Sequence, residues 1–194
     1  MDLMFGIGFD DALRTRAAQL YDVDFGDKFN LAIPSDQVRL KWIECCINPD
    51  FCIAATQDGQ LVGFAGFQTS EGAFTDGMTY RSLIRHLGSI RGHWASLVFA
   101  LYERKPQIHI MLMDGIMVDP EFRGQGIGTK LLLTLADHAR QLGFDGIRLD
   151  VIDTNPRARK LYQSVGFRAT GTDHFPWLKW FLGFSASTTL IFKL

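Results

Sequence analysis

Between residues 108 and 142 the chain passes from an apolar run through a glycine turn straight into an amphipathic segment. Residues 108–118 are rich in Ile, Leu, Met and Val and read as a buried strand. Asp119-Pro120-Glu121-Phe122-Arg123 makes the turn, and Gly124, Gly126 and Gly128 follow at alternate positions. Ile127, Leu131, Leu135, Ala139 and Leu142 then repeat at helical spacing, which predicts a helix over 126–142. A strand that feeds such a helix requires a sheet with helices packed across it. The same order builds an anion site. Glycine lets backbone approach a phosphate closely, and a helix start offers unpaired N–H groups at the positive end of its dipole.

Two common phosphate loops do not fit. A dinucleotide-binding G-x-G-x-x-G beginning at Gly124 needs a glycine where Thr129 stands. A Walker loop needs Gly-Lys-Ser/Thr, whereas Gly128-Thr129-Lys130 has the reverse order. A second patterned region lies downstream. Residues 147–151 read as a strand, and Asn155-Pro156 is a good helix start with Asn155 as N-cap. Ala158, Leu161, Tyr162 and Val165 mark one helical face, and Gly166 supplies the stop before Phe167 opens another strand.

Arg123-x-x-Gly126-x-Gly128, preceded by Val118-x-Pro120, resembles the coenzyme A signature of the GNAT superfamily of N-acetyltransferases. Asn155-x-x-Ala158-x-x-x-Tyr162 with Gly166-Phe167 is similar to that family's second signature. The motif-bearing resemblance covers about residues 108–168. It implies an α/β (α+β) fold. The family sheet is mixed, mostly antiparallel and twisted, with two splayed parallel central strands flanked by helices. The donor is then acetyl-CoA or a related acyl-CoA. Its pantetheine arm lies against backbone of Ile116, Met117 and Val118. Its pyrophosphate sits on the turn formed by Arg123, Gly124, Gln125, Gly126, Ile127, Gly128 and Thr129, where Arg123 either adds charge or fixes the loop. Asn155 bonds the pantetheine arm from the helix side it shares with Ala158 and Tyr162.

By the same resemblance Tyr162 protonates the departing thiolate. Asp150, on the second splayed strand, is one candidate base and Asp114 is its rival; His109 and His174 are weaker ones. The acceptor is a primary amine of a small molecule, attacked directly in a ternary complex. A protein N-terminus or lysine side chain is the alternative acceptor, and a catalytically silent acyl-CoA-binding domain is the alternative function.

The rest of the chain matches the family only as an order of elements. Asp10-Asp11 caps a helix to about Tyr21, and Ser35 caps another over 36–47. Residues 51–56 and 61–68 form a hairpin around Gln57-Asp58-Gly59, and 70–77 is loop. Residues 79–105 read as a helical insertion broken at Gly88 and ended by Pro106. Its apolar stretch from Trp94 to Tyr102 is extra core, a homodimer contact, or a wall for the acceptor. Strands from Phe167 and over 188–193 close the chain, around a loop carrying His174, Phe175, Pro176, Trp177, Trp180, Phe181 and Phe184.

One domain over 1–194 accommodates these elements. A net charge of -1 without a basic run argues against a nucleic-acid partner. No apolar stretch is long enough to span a bilayer. Cys45, Cys46 and Cys52 lack metal-ligand spacing and read as free buried thiols, so we expect no metal and a cytoplasmic location.

Overall fold

The computed structural model describes residues 2–100, 107–176 and 179–194. Seven strands form one sheet, ordered β1 (Leu3–Ile7), β2 (Cys52–Gln57), β3 (Gln60–Gln68), β4 (Ile110–Val118), β5 (Gly146–Ile152), β7 (Ala186–Lys193) and β6 (Arg168–His174). Every neighbouring pair is antiparallel except β4 and β5. Helices α1 (Arg14–Asn30), α2 (Asp36–Cys46) and α3 (Tyr80–Ala100) contribute to the core on one face. Helices α4 (Ile127–Gln141) and α5 (Pro156–Val165) pack on the other, and a short α6 (Lys179–Leu182) lies between β6 and β7.

Strand alternation divides the core. Cys52 and Ala54 of β2 join Trp42, Phe64 and Phe74 on the first face, while Ile53 and Ala55 join Leu131, Leu135 and Ile147 on the second. Burying one such large apolar side chain contributes about 1.5–3 kcal/mol. The apolar stripe of α4 reaches the sheet as its spacing requires: Ile127, Leu131, Leu132, Leu135, Ala136 and Ala139 are all buried.

Several expected boundaries hold. Ser35 caps α2, its Oγ accepting from Val38 N at 3.5 Å. Asp58 (φ 51°) and Gly59 (φ 79°) make the hairpin turn with the positive φ angles such turns favour. Gly88 (φ 75°, ψ 171°) kinks α3 at the expected break. Residues 101–106, with Tyr102 and Pro106, lie outside the described residues, as does Trp177.

Other features differ. β1 was not expected; it is an edge strand whose residues are mostly exposed, so it carries no buried alternation to read. Asp10 caps a short turn, Asp11–Leu13, and α1 proper begins at Arg14. α1 then runs nine residues past Tyr21 to Asn30, because Phe25 and Phe29 continue the buried stripe of Ala18 and Tyr21. β7 opens at Ala186, and α6 is additional. Cys45 is exposed while Cys46 and Cys52 are buried, since adjacent helical positions point about 100° apart. Burial pushes the Cys46 and Cys52 thiols up from their ordinary range. Among the described residues no helix is long and apolar enough to cross a membrane.

Candidate active site

The parallel pair β4–β5 is where the sheet opens. The two strands pair only at Ile110–Gly146, Met111–Ile147 and Leu112–Arg148. Beyond that point β4 stays on β3 as far as Val118, and β5 stays on β7 as far as Ile152. Their facing edges therefore diverge with main-chain groups left over, an arrangement that a bound chain of amides can satisfy. A bulge sits at the divergence. Gly66 and Phe67 are consecutive on β3, yet they oppose Gly115 and Met113, so Asp114 is the extra residue.

Into this gap opens a cleft of about 1530 Å³. Ile116 and Val118 line one wall, Leu149, Asp150 and Val151 the other, and the glycine turn and α5 stand at its mouth. Asp119 N donates to Val62 O at 2.9 Å, which fixes the β3–β4 ladder. Alternation along that ladder aims the main chain of Met117 at β3 and that of Ile116 and Val118 at the opening. The Met117 side chain is fully buried in the core, and neither Met117 nor Gln125 lines the cleft.

The turn is held from outside. Asp119 is buried, its Oδ2 paired with Arg16 of α1 and its Oδ1 accepting from Glu121 N at 3.0 Å. Arg123 folds back: Nε donates to Val118 O at 2.9 Å and Nη2 to Asp24 at 3.1 Å. Its guanidinium thus fixes the loop. Gly124 (φ 84°) and Gly126 (φ 79°) hold left-handed conformations that face open space. Gly126 is the N-cap of α4 and no side chain among the described residues caps that helix, so the first N–H groups, at Ile127, Gly128 and Thr129, are left over where these residues line the cleft. A side chain on Gly128 would instead meet Leu161 Cδ2 at 3.0 Å, so this glycine serves the α4–α5 contact.

Thr129, Gly124, Asn155, Ala158 and Tyr162 line the same cleft. Asn155 caps α5, its Oδ1 accepting from Ala158 N at 3.1 Å. Tyr162 is 6% exposed and rests against Phe167, with ring centroids 5.8 Å apart. Ile147, Leu149 and Val151 belong to the core under α4, so Arg148 and Asp150 project from the opposite face of β5. Asp150 accepts from Thr189 Oγ1 at 2.5 Å and lies 3.4 Å from Arg148 Nη2. Asp114, also lining the cleft, accepts from Thr75 Oγ1 at 3.2 Å. His174 is exposed on β6 and His109 has φ 62° before β4; neither lines the cleft. The sequence reading missed Arg16, Asp24 and Thr75, whose partners stand 103, 99 and 39 residues away, with no local signal of the pairing.

A splayed parallel pair, an uncapped helix start and a glycine turn are the attributes of acyl-CoA-binding transferases. The family model for the acetyltransferase (GNAT) family matches residues 16–167, and the chain belongs to that family. It is 44% identical over 54 residues to the thialysine N-epsilon-acetyltransferase of Bos taurus, a match covering 28% of this chain and 32% of that one. Among solved structures, an N-acetyltransferase from Staphylococcus aureus Mu50 superposes with a TM-score of 0.68 at 17% identity, covering 97% of this chain and 100% of the other. A putative acetyltransferase from Salmonella typhimurium with its cofactor acetyl-CoA gives 0.59 at 17% identity, covering 100% and 95%.

Proposed function

We propose that the chain, as one catalytic unit, is an N-acetyltransferase that moves the acetyl group of acetyl-CoA to a primary amine of a small molecule. The observation that carries this reading is the three-residue β4–β5 pairing, which leaves two open strand edges leading to an uncapped helix start. An extended amide-bearing arm with a pyrophosphate at one end matches both halves. The bovine relative is named as a thialysine N-epsilon-acetyltransferase, which supports a small-molecule amine as acceptor.

Bound there, acetyl-CoA supplies an activated thioester. The N–H groups of Ile127, Gly128 and Thr129 hold its pyrophosphate, and main-chain groups of Ile116 and Val118 hold the pantetheine arm. Asn155 keeps its amide N–H donors for that arm while its carbonyl caps α5. Asp114 takes the proton from the incoming ammonium, because it is half-buried and opens to the cleft. Asp150, its side chain 8% exposed and engaged by Thr189 and Arg148, positions that wall. The freed amine attacks the carbonyl carbon, a C–N bond forms and the C–S bond breaks. The Val118 N–H stabilises the carbonyl oxygen; as the C–S bond breaks Tyr162 gives its proton to the sulfur, the nitrogen loses its second proton to solvent in the cleft, and Tyr162 regains a proton from that solvent.

The test is steady-state thiol release with acetyl-CoA and an amine panel. Tyr162→Phe should lower kcat by about 10²-fold and leave acetyl-CoA affinity within about twofold. An unchanged kcat would remove Tyr162 from this role. Acetyl-CoA binding without turnover of any small amine, N-terminal peptide or lysine peptide would favour the silent acyl-CoA-binding domain.

A further inference from the structure

We propose that the acceptor is an amphiphilic primary amine, an ammonium joined by a short linker to an aryl or alkyl group, without a carboxylate. This rests on the acetyltransferase reading and specifies its second substrate. The first observation is the position of Phe25. Its ring lies against β4 at Gly115, where an added Cβ would stand 2.9 Å from Phe25 Cζ, so the ring is one residue from Asp114. The second is the loop before α3: Thr75 donates to Asp114, and Met78 follows three residues later into the same cleft.

The third is the helical insertion. Phe99 of α3 packs edge-on to Phe29 at 4.9 Å, and Phe29 stacks with Phe25 at 6.2 Å. Phe25, Met78 and Phe99 are each only half-buried, and all three line the cleft. Around Asp114 the structure thus holds a patch of uncovered carbon with a carboxylate at its edge. An aryl group on that patch gains contact area and ring-on-ring geometry. An ammonium beside it meets the carboxylate of Asp114, while Tyr21 stacks on Phe25 at 4.6 Å and backs the patch.

The neighbouring charges argue against two other acceptors. An amino acid needs a cation for its carboxylate, but Arg123 is held by Asp24 and Val118 O, and the charge of Arg148 is offset by Asp150 at 3.4 Å, with its Nε buried away from solvent. Arg157 also lines the cleft, but it stands exposed in the first turn of α5 beside Asn155, on the side opposite Phe25, Met78 and Phe99 of the first core. A polyamine needs further carboxylates spaced along its chain; of the others lining the cleft, Asp24 is paired with Arg123, Asp150 with Arg148, and Asp173 stands on the edge strand β6, while Phe25, Met78 and Phe99 present carbon beside Asp114.

The experiment measures kcat/KM with acetyl-CoA for 2-phenylethylamine, hexylamine, ethylamine, phenylalanine, lysine and spermidine, alongside calorimetric binding of acetyl-CoA. We expect 2-phenylethylamine and hexylamine to exceed ethylamine, phenylalanine, lysine and spermidine by at least about tenfold. Phe25→Leu should shrink the ratio of 2-phenylethylamine to ethylamine through KM, with acetyl-CoA affinity retained. If Phe25→Leu is recovered unfolded, Met78→Ala carries the same expectation. A preference for spermidine, lysine or phenylalanine, an unchanged ratio in the variant, or bound acetyl-CoA with none of these amines turned over would overturn the proposal. Failure to bind acetyl-CoA would overturn the acetyltransferase reading beneath it.

Discussion

At the scale of single residues, one histidine links the second core to pH. His138 lies on α4 against Phe67, with ring centroids 5.3 Å apart, and its buried Nδ1 has no hydrogen-bond partner among the described residues. Burial pushes its imidazole below the ordinary histidine value. The unfolded chain therefore binds a proton that the folded chain refuses between the lowered value and about 6.5. Stability from this site is full above about pH 6.5 and is lost as pH falls from there toward the lowered value. We expect the melting temperature to drop between about pH 7.5 and pH 5.5, and His138→Gln to flatten that slope. An equal drop in the variant would assign the pH dependence to other groups.

At the scale of elements, the β4–turn–α4 unit separates two uses of glycine that look alike in sequence. Gly126 takes a left-handed φ of 79° at the cap of α4 and faces open space, so packing does not require it, and the proposed function gives it to the ligand. Gly128 has helical backbone and its Cα approaches Leu161, so it serves packing. Gly126→Val should abolish coenzyme binding at a stability cost of about 1–3 kcal/mol from the strained backbone. Gly128→Leu should lower the melting temperature by overpacking α4 on α5, also at about 1–3 kcal/mol. Equal coenzyme affinity in the Gly126 variant and the parent would contradict the phosphate-turn assignment.

The same unit shows what could be read ahead of the structure. The turn, both helix starts and the strand before them depend on residues within a few positions of each other, and local spacing carries that information. Which glycine faces ligand depends on Leu161, 33 residues on, and local spacing does not carry it. β1 left no trace, because an edge strand exposed on both faces has no alternation. The helix expected to about Tyr21 continues through Asp22-Val23-Asp24, where Asp22 pairs with Arg39 and Asp24 with Arg123 once α2 and the turn are folded. Those carboxylates tie elements together in space through partners far along the chain.

At the scale of the whole molecule, the two cores meet at the opened pair β4–β5. α4 and α5 close one side of the cleft and bring the helix start, Asn155 and Tyr162. α1 and the loop before α3 close the other and bring Phe25, Thr75 and Met78. On the proposed function, the α4–α5 side takes the donor and the side formed by α1 and the loop before α3 takes the acceptor. The acceptor side is made by long-range packing around Asp114, so its chemistry emerges with the fold.

The central claim is that the opened strands and the uncapped helix hold an acyl-CoA. The measurement that tests it most directly is titration calorimetry of the purified chain, freed of co-purified coenzyme, with acetyl-CoA, and with ATP and NAD as controls. Saturable one-site binding of acetyl-CoA alone, lost in Gly126→Val, is the expected result. A folded sample that fails to bind acetyl-CoA, or that binds ATP or NAD equally well, would contradict the account.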